Sequence, residues 1–222
     1  MKTHTSRIED LKWAQPAHQL RSQRTLERLL DAAEGELREK GYADASVADI
    51  AGRAGCSVGT VYRRFRDKTA LLHALDERWA AAFRATMEDA VAAERWQGAP
   101  ILEVLTGYIE FSLSQARERG ALHRAALIMA SRDASFAARQ LQLASELHVR
   151  LRDLLLARRD EIGHADPALA VEFVLEQLRS MLVARLDGRP LDPTLFAVSD
   201  EQFIDQALTS VAAYLELDPQ PV

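Results

Sequence analysis

Apolar residues recur at three- and four-residue spacing along nearly the whole chain, while strict alternation is scarce, so the pattern predicts an all-α fold. Leu26, Leu29, Leu30, Ala33 and Leu37 mark the buried stripe of a first helix from about Gln23 to Lys40, with Ser22 as a cap and Gly41 as its end. A second run, Val47, Ile50, Ala51 and Ala54, is broken at Gly55 and resumes at Val58, Val61, Tyr62 and Phe65. Two short helices with a tight turn between them make a helix-turn-helix. Ser46 caps the first, with Asp49 placed to return a bond to the Ser46 amide, and Ser57 caps the second. Gly55 supplies a positive φ without Cβ strain.

The stripe of Leu71, Leu72, Leu75, Trp79, Phe83 and Met87 predicts a long helix starting at the Asp67 cap and passing Val91 before Gly98 and Pro100 stop it. Beyond it, Ile101 to Leu113 predicts a centrally buried helix ending before Gly120, and Ala121 to Ala130 a separate short one. A longer helix should run from about Ala134 to Arg159. Two more follow: Ala168 to Leu186, entered through Asp166 and Pro167, and Glu201 to Leu217, entered through a Ser199–Gln202 capping box. Their wide apolar stripes suit a subunit interface and an intrachain core equally. The expected organisation is an N-terminal arm at 1–20, flexible in this reading, a helix-turn-helix domain at 21–68, and a helical body at 69–222 whose first helix is the connector.

The formal net charge is −5, but it is unevenly spread. Through Lys68 there are 13 Lys and Arg against 10 Asp and Glu, net +3; from Thr69 onward there are 15 against 23, net −8. The second helix of the motif carries Thr60, Arg63 and Arg64 on its outer side, and a short basic helix presented this way fits the major groove of double-stranded DNA. An acidic remainder repels the duplex and orients docking. Cys56 is the one cysteine, so no intrachain disulfide forms; with no apolar leader or spanning segment, a cytoplasmic address and no membrane partner are expected.

The run GYADASVADIAGRAGCSVGTVYRRFRDKTALL, Gly41 to Leu72, resembles the DNA-binding signature of the tetracycline-repressor (TetR-like) family. The matching elements are Gly41-Tyr42, Ile50-Ala51, Ala54-Gly55, Ser57, Thr60, Tyr62, Phe65, Lys68 and Leu71. It departs at Cys56, where an aliphatic residue is usual, and at Ala48, where some members carry a base-reading arginine. The resemblance implies phosphate contacts from Thr60 and Tyr62 and a phosphate-clamping Lys68. With the residues' own reading, the DNA-contact set is Ser46, Ser57, Val58, Gly59, Thr60, Tyr62, Arg63, Arg64 and Lys68, with Arg53 a weaker phosphate candidate. The resemblance further implies that the fourth helix relays ligand state and that the last two helices pair with those of a second subunit.

For a small-molecule effector, Tyr108, Phe111, His123, Met129, Phe136 and Met181 combine aromatic bulk, soft sulfur and a polar tip, although such residues also fill any helical core. No phosphate loop, nucleophile elbow or paired-histidine spacing occurs, and the lone Glu161-x-x-His164 spacing contains a glycine. The expectation is a homodimeric, ligand-responsive repressor of a palindromic operator, with no catalytic residue, metal or cofactor. A helical enzyme would require convergent ionisable side chains that the sequence does not display.

Overall fold

The computed structural model describes residues 20–186 and 198–217, excepting the side chains of residues 20, 21, 116, 118–121, 123, 124, 127 and 186. Residues 1–19 of the expected N-terminal arm and residues 187–197 before the last helix thus fall outside the described residues. Secondary structure among the described residues is helical: α1 (Leu20–Asp44), α2 (Val47–Arg53), α3 (Val58–Tyr62), α4 (Lys68–Ala90), α5 (Ile101–Ala130), α6 (Ala134–Leu156), α7 (Pro167–Leu186) and α8 (Asp200–Leu215), with short 3-10 turns at Ala93–Trp96 and Arg159–Glu161.

The termini obey the local chemistry expected of them. Gly41 at φ 78 interrupts helical geometry within α1, and Gly55 at φ 64 turns the chain out of α2. Asp67 Oδ1 accepts the Ala70 amide at 2.8 Å at the start of α4, and Asp166 Oδ1 accepts that of Leu169 at 3.1 Å at the start of α7. Ser199 and Gln202 form the reciprocal capping box of α8. Gly120 does not end a helix: α5, 30 residues long, runs through it to Ala130. An interior glycine costs only about 1 kcal/mol relative to alanine, which helical continuity and packing on either side readily outweigh.

The chain forms two compact units, residues 1–86 with 121–143, and residues 87–120 with 144–222. In the first unit Leu26, Leu29, Leu30 and Leu37 of α1, Ile50 of α2 and Val61 of α3 share one core with Leu71, Leu72 and Leu75 of α4. Leu122, Met129 and Phe136 close that same core. A three-helix motif of about 50 residues buries too little surface to be comfortably stable alone, and these added segments supply the rest.

In the second unit Ile101, Leu105 and Ile109 of α5 pack with Leu151 and Leu155 of α6, Val171, Val174 and Leu178 of α7, and Val211 and Leu215 of α8. Trp96 lies over Gly107, where an added Cβ would fall 2.4 Å from its ring, and its indole N–H donates to the Ala90 carbonyl at 2.7 Å. Glu161 Oε2 accepts the Ile101 amide at 2.9 Å, so this carboxylate caps α5; His164 Nδ1 instead accepts the Asp166 amide at 3.0 Å. Their Glu-x-x-His spacing therefore serves two separate turns. No helix among the described residues is long and apolar enough to cross a membrane.

Candidate nucleic-acid interface

Two serine caps set the ends from which the interface is built. Ser46 Oγ accepts the Asp49 amide at 3.1 Å, and the Asp49 carboxylate accepts from the Ser46 hydroxyl at 2.6 Å and, more weakly, from the Ser46 amide. That hydroxyl bond, followed by Lys40, holds the Asp49 carboxyl below its ordinary value. Ser57 Oγ accepts the Thr60 amide at 3.3 Å and lies 3.1 Å from Thr60 Oγ1, to which Arg63 Nη2 donates at 3.0 Å. Ser57, Thr60 and Arg63 thus form one polar line along α3.

The other face of α3 is apolar. Val61 and Phe65 are buried, at 2% and 1% exposure, whereas Val58 and Tyr62 are 39% and 54% exposed. An exposed tyrosine beside a buried valine on a five-residue helix means the element is pinned by one side and open on the other. Ser57, Gly59 and Arg63 are exposed, and Thr60 and Arg64 are half-buried. A Cβ at Gly59 would meet nothing closer than Ser57 Oγ at 3.8 Å, so packing within the chain does not require the glycine.

Lys68 takes a different position from the α3 residues. Its ammonium donates to the Tyr42 carbonyl at 2.8 Å and stands 5.1 Å from the centre of the Tyr42 ring. Partial burial pulls its pKa down, opposed by Asp44. Arg53 is engaged within the fold: it pairs with Glu39 and Glu36 of α1 and crosses Gly35 where a Cβ would collide with its guanidinium. Cys56 is half-buried against the core of this unit.

The effector candidates are divided between the two units. Met129 and Phe136 line a cavity of about 20 Å³ in the first unit, with Leu37, Leu75, Asp76 and Trp79. Tyr108 and Phe111 line one of about 10 Å³ in the second unit, with Val91, Trp96 and Leu151. Met181 packs against the second unit's core and lines neither cavity, and the His123 side chain lies outside the described residues. Identical aromatic or sulfur-bearing residues at helical spacing carry no information about which unit their helix segment joins.

Sequence reasoning missed a polar network behind the Met129–Phe136 cavity. Asp76, 3% exposed, accepts from Arg139 Nε at 2.8 Å and Gln140 Nε2 at 2.9 Å; burial pushes its carboxyl above the ordinary value, with Arg139 opposing. Arg139 Nη2 lies 2.5 Å from His73 Nδ1, and His73 Nε2 lies 2.8 Å from Asp133 Oδ2. Because a guanidinium only donates, Nδ1 is the acceptor and Nε2 carries the proton facing Asp133. The available signal was His73 and Asp76 standing three residues apart, directly after Leu72 and Leu75, polar positions beside an apolar stripe.

Asp133 also accepts from the Ser135 hydroxyl at 2.6 Å and from the Ser135 and Phe136 amides, and these bonds with His73 hold its carboxyl well below the ordinary 3.8. A depressed carboxylate contributes stability above its unfolded pKa and loses it as pH falls through the folded one. Asp133→Asn is therefore expected to lower the urea midpoint at neutral pH, with the gap to wild type closing on acidification below pH 3.8. A gap independent of pH would remove this carboxylate from the acid response.

Residues 29–75 match the model of bacterial regulatory proteins of the tetR family. Across 193 residues the chain is 30% identical to the HTH-type transcriptional regulator BetI of Escherichia coli (strain SMS-3-5 / SECEC), covering 82% of this chain and 92% of that protein. The chain belongs to the TetR family. The fold agrees with a solved structure from Mesorhizobium loti MAFF303099 assigned to the same family, at TM-score 0.69 and 22% identity over 89% of this chain and 98% of that one. It also agrees with SmeT, the repressor of a Stenotrophomonas maltophilia multidrug efflux pump, in complex with triclosan, at TM-score 0.59 and 24% identity over 89% and 98% of the two chains. As a TetR-family transcriptional regulator, the protein carries its helix-turn-helix in α2 and α3. Among the described residues, no cluster of three or more His, Cys, Asp and Glu is placed to hold a metal ion.

Proposed function

We propose that this TetR-family regulator is a homodimeric repressor whose two α3 helices enter successive major grooves of a partly palindromic operator and whose affinity is lowered by a small-molecule effector. The observation that carries this reading is the open face of α3: Ser57, Thr60 and Arg63 in one hydrogen-bonded line beside an exposed Val58, Gly59 and Tyr62. In the first turn Val58 and Gly59 meet base edges, Thr60 and Tyr62 meet phosphate, and Arg63 and Arg64 supply guanidinium forks for guanine or phosphate. Ser46 caps the supporting helix, and Lys68 approaches the backbone from the start of α4.

Dimer formation is supported by exposed apolar residues on α7, Leu169 at 59% and Phe173 at 50%, with Val183 further along the same helix. Side chains of this size left open on one helix suit a self-complementary contact with a second copy. Ligand response is supported by the apolar cavities, with the triclosan-bound SmeT as precedent in a protein of this fold. Drug-sized ligands fill about 300–1,000 Å³. The effector therefore binds an expanded arrangement of these walls, and its preference for that arrangement shifts the population away from the DNA-competent one.

The test is an anisotropy titration of the full chain with duplex from its own promoter. Log affinity should fall linearly with log salt, at a slope near −0.9 for each phosphate contacted. Affinity that stays flat between about 50 and 200 mM salt would overturn the reading.

A further inference from the structure

We infer that Arg132, on the turn between α5 and α6, contacts a DNA phosphate beside Lys68 and so extends the interface beyond the helix-turn-helix. The inference rests on the DNA-binding reading above. Its geometry centres on Tyr42. The Arg132 guanidinium lies 5.8 Å from the centre of the Tyr42 ring, over which the Lys68 ammonium stands at 5.1 Å. Both cations stand near one ring, Lys68 also facing Asp44, and an anion that approaches the ring between them is attracted by each. Duplex phosphates are such anions, and at Lys68 the neighbouring cation is already assigned to one.

The surroundings leave Arg132 to that task. It is exposed, and among the described residues it carries no ion pair, whereas Arg78 pairs with Asp31 and Glu34, and Arg139 with Asp76. Its sequence neighbour Asp133 does not neutralise it: that carboxylate is taken up by Ser135, the Phe136 amide and His73. The backbone is fixed as well, because the Arg132 and Asp133 amides both bond to the Met129 carbonyl at 2.9 Å. A cation on an anchored turn, its guanidinium held near an aromatic ring, loses less freedom when it meets a phosphate than one on an open loop. Composition points away from this position, since the segment after Thr69 is acidic overall; Arg132 is an exception that the fold brings to the basic unit.

The test uses the full chain and a fluorescein-labelled duplex of mixed sequence, since phosphate contacts are indifferent to sequence. Wild type, Arg132→Gln and Arg132→Lys are titrated from about 50 to 200 mM salt. The Gln variant should bind several-fold more weakly at the low end and show a salt slope shallower by about 0.9 per bound protomer, while the Lys variant keeps the wild-type slope. Steep wild-type dependence with an unchanged slope in Arg132→Gln would overturn this inference and leave the DNA-binding reading standing. A lowered melting temperature with that unchanged slope would likewise overturn it, reducing Arg132 to a prop for Tyr42. A flat wild-type titration would overturn both.

Discussion

Arg63→Ala combined with Arg64→Ala should weaken operator binding by about 10³-fold or more, with the helical melting curve displaced by no more than a few degrees. The magnitude follows from counting. A well-formed guanidinium contact to a base edge is worth about 1–3 kcal/mol of discrimination, and the proposed dimer loses four such groups. At the lower bound that is about 4 kcal/mol, or a thousandfold. Arg63 is exposed and its recorded partner is Thr60 of the same helix, so removing it costs the fold little. Arg159, exposed in the second unit, provides the control: Arg159→Ala should change neither affinity nor its salt slope. Equal losses in the control and the double variant would take base reading away from α3.

Phe65→Ala should destabilise the first unit by about 3–5 kcal/mol, the usual cost of truncating a buried aromatic side chain. Phe65 is 1% exposed, its amide bonds to the Val61 carbonyl at 2.9 Å, and its ring joins the core that α3 shares with α1 and α4. Domains of this size are stable by about 5–15 kcal/mol in total, so the loss is a large fraction of what holds α3 in place. Urea unfolding followed by circular dichroism measures it. Tyr62→Ala is the instructive comparison. That side chain is 54% exposed, so stability should move by no more than about 0.5 kcal/mol while DNA affinity falls. A Phe65→Ala variant within 1 kcal/mol of wild type would mean that α3 is not anchored through this residue.

These paired outcomes reflect how much of the interface the sequence displays. Caps and breaks are local: Ser46, Ser57, Asp67, Asp166 and the Ser199–Gln202 box act within three residues of themselves, and each terminates a helix near its expected place. The split within the apolar run of α3 and the turn after it is not local: Val58, Val61, Tyr62 and Phe65 share one helical spacing, and only packing against the core of the first unit buries Val61 and Phe65 while Val58 and Tyr62 stay exposed. Gly120 shows the limit of such reading. Its propensity argues for a break, and packing along the 30-residue α5 overrides it.

From sequence alone came the all-α class, the helix-turn-helix and the family, because each is written in spacings of three to seven residues and in a contiguous signature from Gly41 to Leu72. Tertiary structure alone decided which segments share a core, bringing Leu122, Met129 and Phe136 to the unit built on α1 to α4 and separating Met129 and Phe136 from Tyr108 and Phe111. It alone joined Asp76 to Arg139, His73 to Asp133, and Arg132 to the ring of Tyr42. These partners stand 60 or more residues apart in the chain, where neither periodicity nor propensity specifies a pairing. Only closure of a common core brings them within bonding distance.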